Sequence, residues 1–348
     1  MHDHSPAPQA HVDLDALARR IAARAGLPIA AADIERVMAA LLSASNFWEV
    51  VALADRPAGQ VAETLIHLAA EELAQVGEAV ALTPAGTALG WQRGLVPRKR
   101  FRCPHCAGRG LALEVFRRVQ PRWERVRAAL GEDGAPTAER LSPDAVLGLV
   151  AFLADRGDLM GKAVLVLGDP SLVSVALALS GFPRRVVLLE EDPGRAQALA
   201  DVAGRQRMAL EVRGLAGDEP LPTDLRGAFS TLVLGRNGGA EENAHQVQRG
   251  LAGLRGPGCG VVYGLATARV PLPRWADLER QLLERAPLAL TDLLRDALEY
   301  ERHPEPAGAL PPDFAPAHAS SPGAWYRAAL LRWETLPGFD PTVLSAVN

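Results

Sequence analysis

An open, doubly wound α/β sheet preceded by a small helical domain is the fold class this sequence predicts, and three observations predict it. The 348 residues exceed one ordinary core and suit two domains. From Lys162 onward, short apolar runs of strand length alternate with helical segments, the signature of parallel strands joined by crossover helices. Before residue 99 the periodicity is helical, apart from one short strand pair. A formal charge of -4, 48% apolar and 22% charged residues describe a soluble globular chain and exclude disordered and nucleic-acid-coating classes. No apolar run approaches the ~20 residues that cross a bilayer, and the start "MHDHSPAPQAH" lacks a secretory pattern. A cytoplasmic protein is expected. Three cysteines argue against a disulfide framework.

In chain order, residues 1–11 are a polar tail expected to be disordered, and 12–98 a winged-helix-like interaction domain. "DLDALARRIAARAG" has helical spacing from Leu14 to Ile21, with Asp13 as cap and Gly26 as stop. "AADIERVMAALLSA" gives a second helix. A short helix and a turn at Arg56–Gly59 lead into a longer amphipathic helix near Gln60 to Gln75, followed by a wing at Ala79 to Thr87. The longer helix carries Glu63, Glu71 and Glu72 and neither Lys nor Arg, so it would repel phosphates. It predicts protein contact, with homodimerisation as the use of its face, and argues against nucleic acid. The basic run Arg93 to Arg102 reads as a solvated linker.

Residues 99–139 form a knuckle and helical linker. "FRCPHCAGRGLAL" places Cys103 and Cys106 in a CxxC with glycines behind it, half of a zinc knuckle. No second CxxC exists, so bound zinc and a reduced thiol pair are both open readings. Residues 140–348 are the α/β domain. Its strands read as Ala163 to Leu167, Arg185 to Glu190, Ala209 to Val212, Ser230 to Leu234 and Gly258 to Leu265. Leu288 to Leu294 and Ala328 to Leu336 suit the closing strand pair of a methyltransferase-like (Rossmann-type) sheet.

In such a sheet the ligand lies beyond the carboxyl ends of the strands. The first strand ends at Gly168-Asp169: the glycine lets the backbone approach a ligand, and the carboxylate can accept from a donor or pair with a cation. The second strand ends at Glu190, where nucleotide-type folds place an acid on the ribose hydroxyls, with Asp192 beside it. The pattern lacks G-x-G-x-x-G, which favours an adenosyl ligand with a cationic sulfonium over a dinucleotide. A bland reading stands next to this one: Asp169-Pro170-Ser171 caps the helix from Leu172, and Glu190 and Asp192 are solvated strand-end acids. Arg236 would then face solvent or pair with Glu241 or Glu242, and Trp325 and Tyr326 would be core or subunit contacts.

"LVAFLADRGDLMGKAVLVLGDPSLVSVALALSGFPRRVVLLEED", "LRGPGCGVVYGLA", "TDLLRDALEYE" and "WYRAALLRWETLPG", with "CPHCAGRG" upstream, together resemble the branched-chain polyamine synthases, the bis(aminopropyl)spermidine synthases, over nearly the whole chain. The resemblance implies transfer of aminopropyl groups from decarboxylated S-adenosylmethionine to a polyamine such as spermidine. The family turn is Gly-Asp-Asp-Asp, and it carries over onto Gly168 and Asp169, with Asp169 as base or amine ligand. The next two positions are Pro170 and Ser171. Gly168, Asp169, Ser171, Glu190 and Asp192 are thus the expected adenosyl-binding set. The family's Asp-Pro-Pro block, on the amine side, falls on Gly235-Arg236-Asn237. An acid is lost there and a cation gained, which weakens the pairing a polyamine needs. Two other readings follow from these departures: a homologue that binds an adenosyl compound or partner without chemistry, or a relative using S-adenosylmethionine with a carboxylate-bearing substrate held by Arg236.

Overall fold

The structure is a computed structural model, and it describes residues 12–26, 29–98, 110–132, 140–216, 219–236, 238–301, 314–318 and 326–344. The chain divides into two compact units, the first reaching to Arg100 and also taking in the later segment that carries Phe314.

The first unit runs α1 (Leu14–Ala25), α2 (Ala31–Leu41), α3 (Phe47–Ala54), α4 (Ala58–Ala70), β1 (Ala74–Val76), β2 (Val80–Leu82) and α5 (Pro84–Gln92). The Asp13 side chain accepts from the N–H groups of Asp15 and Ala16, and Gly26 closes α1 at φ 65°, the cap and stop expected of these residue types. Leu14, Leu17, Ile21, Ile34, Met38 and Leu68 form the core. Phe314 packs edge-on against Phe47 with ring centroids 5.1 Å apart, so a residue far along the chain takes part in this unit's core.

Two boundaries differ from the sequence reading. The long helix ends at Ala70 because Glu72 adopts φ 57°, and Gln75 lies in β1. The stretch read as wing stops at Leu82, and Pro84 starts a helix capped by the Thr83 hydroxyl, which accepts from Gly86 N–H. Proline at a first helical position, after a threonine, is a helix start as much as a turn signal. Gly86 has to lack a side chain, since a Cβ there would lie 1.9 Å from the Leu73 carbonyl oxygen.

The second unit opens with a 3₁₀ segment, Leu113–Val119, then α6 (Gln120–Ala129), α7 (Pro143–Asp155), β3 (Ala163–Leu167), α8 (Val173–Ser180), β4 (Arg185–Glu190), α9 (Pro193–Arg205) and β5 (Leu210–Gly214). It continues with β6 (Thr231–Leu234), α10 (Ala240–Leu251), β7 (Gly260–Leu265), α11 (Leu272–Arg285), β8 (Leu288–Glu299), β9 (Arg327–Thr335) and α12 (Pro341–Leu344). The seven strands are ordered β5-β4-β3-β6-β7-β9-β8. The first five are parallel and β9 runs antiparallel between β7 and β8. This is the methyltransferase-like sheet with its closing pair. Its order reverses between β3 and β6, the place where such sheets bind ligands. The inner strands are continuous apolar runs because helices cover both faces: all residues of β3, β6 and β7 are buried. Tyr326 is buried too, its ring 4.6 Å from that of Tyr300, as the core reading of that aromatic had it. Trp325 lies outside the described residues.

Candidate adenosyl site

The turn after β3 is built by residues that cannot be exchanged freely. Gly168 sits at φ 56°, a conformation L side chains avoid. Leu172 takes the same left-handed region at φ 54°, which disfavours a branched side chain. It is held there by Trp123, whose indole N–H donates to the Leu172 carbonyl at 3.0 Å. The Ser171 hydroxyl accepts from Leu141 N–H at 2.9 Å, so Ser171 braces the turn against the segment before α7.

Asp169 is 1% exposed. One of its oxygens accepts from Val173 N–H at 2.7 Å and the other from Ser174 N–H at 2.6 Å, so its carboxylate satisfies the open end of α8. Burial raises its pKa above the ordinary carboxylate range, against the lowering effect of the Ser174 hydroxyl, the Arg195 charge and the α8 N–H groups. The helix begins at Val173 rather than Leu172.

Glu190, at the end of β4, is also buried. Its Oε1 accepts from the N–H groups of Glu191 and Asp192 at 3.0 and 3.3 Å. Its Oε2 pairs with Arg195 Nη1 at 2.5 Å. Asp192 is the N-cap of α9, its Oδ1 accepting from Arg195 N–H at 2.8 Å. Arg195 was not singled out by sequence. It donates to Glu132 Oε1 at 3.0 Å and to the Asp169 carbonyl at 2.7 Å as well as to Glu190. Burial opposes its charge, but Glu132, Asp169 and Glu190 outweigh that and raise its pKa. A signal did exist: Arg195 is a cation in the first turn of a helix, where the macrodipole disfavours it unless an acid lies close.

The end of β6 abuts this turn. A Cβ on Gly235 would lie 2.1 Å from the Gly168 carbonyl oxygen, and one on Gly168 would lie 3.5 Å from Arg236 Cβ. Gly235 and Gly168 thus let two loops touch backbone to backbone. Arg236 is half-exposed with its Nη1 4.0 Å from Glu191. The partners read from sequence do not take it: Glu241 faces Arg274 at 3.6 Å, and Glu242 folds across Gly238, where a Cβ would meet its carboxylate at 2.0 Å. Asn237 lies outside the described residues. Asn243 fastens the loop, accepting from Gly238 N–H at 3.0 Å and donating to the Gly264 carbonyl at 2.9 Å.

Between these pieces lies an open cleft lined by Gly168, Glu190, Glu191, Arg236, Glu242 and Gln246, with Leu167 and Leu234 as its apolar lining. Glu190 is paired with Arg195 and Glu191 faces Arg236, so the negative charge left to meet a cationic ligand is chiefly that of Glu242. Cys103 and Cys106 lie outside the described residues. Among the described residues, no group of three or more His, Cys, Asp or Glu is placed to hold a metal ion, and no helix is long and apolar enough to cross a membrane.

Known proteins match this chain along most of its length. A family model described as the branched-chain polyamine synthase A C-terminal domain matches residues 138–346. The N(4)-bis(aminopropyl)spermidine synthase of Thermus thermophilus is 34% identical over 334 residues, covering 93% of each chain. Its counterpart from Thermococcus kodakarensis is 29% identical over 331 residues, 92% of each chain. The crystal structure of the branched-chain polyamine synthase from Thermus thermophilus, in complex with N4-aminopropylspermidine and 5'-methylthioadenosine, superposes with a TM-score of 0.78 at 31% identity, covering 94% of this chain and 93% of that one. The family match spans more than half of the chain, with the glycine-acid turn and the strand-end glutamate inside it, and the chain therefore belongs to the branched-chain polyamine synthase family.

Proposed function

We propose that the protein transfers aminopropyl groups from decarboxylated S-adenosylmethionine to a polyamine such as spermidine, giving a branched polyamine. The observation that carries this reading is the acid-lined cleft beside Gly168 and Glu190, in a chain whose structural relative holds an aminopropylated spermidine and 5'-methylthioadenosine. In the reaction an uncharged amine nitrogen attacks the carbon beside the sulfonium. The new N–C bond forms as C–S breaks and the electron pair leaves on sulfur as 5'-methylthioadenosine; a secondary amine then sheds a proton from the attacking nitrogen, whereas a second transfer to that nitrogen leaves a quaternary ammonium with no proton to lose. The protein has to bring amine and carbon into line and, in the first transfer, receive that proton.

Glu190 is assigned to the ribose, and Gly168 to the close approach of the nucleoside. Gly235 and Arg236 border the amine side, with Glu242 chiefly supplying negative charge where the family's motif acids are missing. Asp169 does not line the cleft and each of its oxygens already accepts an N–H. We therefore read Asp169 as the residue that shapes the turn rather than the one that takes the proton. Asp169→Asn separates the two roles: loss of turnover with unchanged 5'-methylthioadenosine affinity would restore Asp169 as base, whereas joint loss of affinity and stability supports the turn.

The first unit we read as a winged-helix-like module for protein contact, homodimerisation included. α4 carries no Lys or Arg, and its Glu63 faces Arg24 at 3.4 Å. Sedimentation of the full chain, expected at dimer mass and indifferent to added DNA, tests this.

A second reading, adenosyl binding without transfer, is favoured by the sequestered Asp169 and by Arg236 beside the cleft. Both are decided by mass spectrometry of spermidine incubated with the protein and either decarboxylated S-adenosylmethionine or S-adenosylmethionine. Gain of one or two aminopropyl units with the decarboxylated donor is the expected result. No product from folded protein that still binds 5'-methylthioadenosine would favour the second reading.

A further inference from the structure

The geometry points to Arg195 as the positioning residue of the adenosyl site, one that aims the Glu190 carboxylate at the ribose and ties it to the turn and to Glu132. This inference rests on the adenosyl reading above and adds a residue to it. A carboxylate offers about four lone-pair sites. Two backbone N–H groups and Arg195 Nη1 take three of those on Glu190, so the one left has a fixed direction, and Glu190 lines the cleft. The same guanidinium reaches the Asp169 carbonyl on one side and Glu132 on the other. One planar fork thereby locks three segments that are distant in sequence: the turn after β3, the end of β4 and the loop after α6. Lysine, with a single ammonium, cannot span three acceptors in one plane. Arg195 does not line the cleft, so it acts through Glu190.

The test is direct binding of 5'-methylthioadenosine and of its 2',3'-dideoxy analogue, which is blind to Glu190, by the full chain and its variants. Arg195→Met is expected to lower affinity for 5'-methylthioadenosine about tenfold or more, the effect of losing a charge-assisted hydrogen bond network. Affinity for the dideoxy analogue should fall several-fold less, through loosening of the turn alone, and the Arg195→Lys protein should bind 5'-methylthioadenosine with an affinity between those of Arg195→Met and wild type. Glu132→Gln, which loosens the fork from its far side, should show the same pattern at smaller size, and serves if Arg195→Met does not fold. Equal loss for both ligands, or no loss for 5'-methylthioadenosine, overturns the positioning role. Wild-type protein that binds neither ligand overturns the adenosyl reading itself, and is told apart by needing no variant.

Discussion

Two buried charge arrangements sit at opposite ends of the same sheet, and they are built differently. At the amino end, Arg332 on β9 grips Asp158 through two parallel bonds, Nε to Oδ2 at 2.6 Å and Nη2 to Oδ1 at 3.0 Å. Its third nitrogen reaches Thr291 and Glu334, while the Asp158 backbone carbonyl accepts from the Thr231 hydroxyl at 2.6 Å. Both side chains are 6% exposed, and a Cβ on Gly260 would sit 2.7 Å from the carboxylate. At the carboxyl end, Arg195 serves three acceptors and one of them, Glu190, opens onto a cleft. A buried pair whose partners are all internal is structure. A buried pair with acceptor capacity left over at a cleft is a site.

The largest effect should come from breaking the closed pair. Asp158→Asn leaves the buried Arg332 with only the partly exposed Glu334 carboxylate as counter-charge, and Arg332 is held above its ordinary pKa chiefly by the Asp158 hydrogen bond. The expected loss is about 3–5 kcal/mol of unfolding free energy, read by urea titration, with turnover per folded molecule unchanged. A fall in turnover beyond the folded fraction would mean that the two ends of the sheet are coupled.

Next in size is Gly235→Ala. Its Cβ would meet backbone rather than a movable side chain, 2.1 Å from the Gly168 oxygen, so the two loops have to part. About 1–3 kcal/mol of stability should be lost, and affinity for 5'-methylthioadenosine should fall with it, because the displaced atoms belong to the turn. Unchanged affinity would remove Gly168 from the ligand's path.

This contrast also marks how far sequence could reach. The strands were legible because parallel strands buried on both faces are unbroken apolar runs, and the Gly168-Asp169 and Glu190 positions followed from where those runs end. The chain's return to the first unit at Phe314 was not, since nothing local marks a residue that packs on Phe47. Arg332 and Asp158 are 174 positions apart, and Arg195 and Glu132 are 63 apart; such pairs are created by topology, and no periodicity records them. Pro84-Ala85-Gly86 misled for another reason, since proline and glycine together satisfy a turn and a capped helix start equally well until Leu73 is seen against Gly86.

A smaller effect separates a buried carboxyl from an exposed one by pH. Burial raises the Asp169 pKa above 3.8, so the folded state favours its protonated form. Its contribution is therefore fully present below the unfolded pKa and is lost as pH rises through the folded one. Stability of wild type relative to Asp169→Asn should decline with rising pH across that acid window, measured by urea titration at each pH. A flat difference would show that the α8 N–H groups fully offset the burial.

Glu211 should behave in the opposite sense and more weakly. Partial burial opposes its charge, but hydrogen bonds from Arg185 and Arg213 outweigh that and lower its pKa below 4.5. Its contribution is thus present above the unfolded pKa and fades as pH falls through the folded one. The side chain is 36% exposed, with Arg185 at 2.8 Å, so solvent and salt screen the pair and Glu211→Gln should cost no more than ~1 kcal/mol. Raising the salt concentration should erase most of that difference while leaving the Asp158→Asn effect in place, because ions reach the edge of β5 and do not reach the floor of the sheet. Equal salt sensitivity of the two variants would mean that the Arg332 pair is wetter than its burial implies, and the distinction between closed and open charge would then rest on the cleft alone.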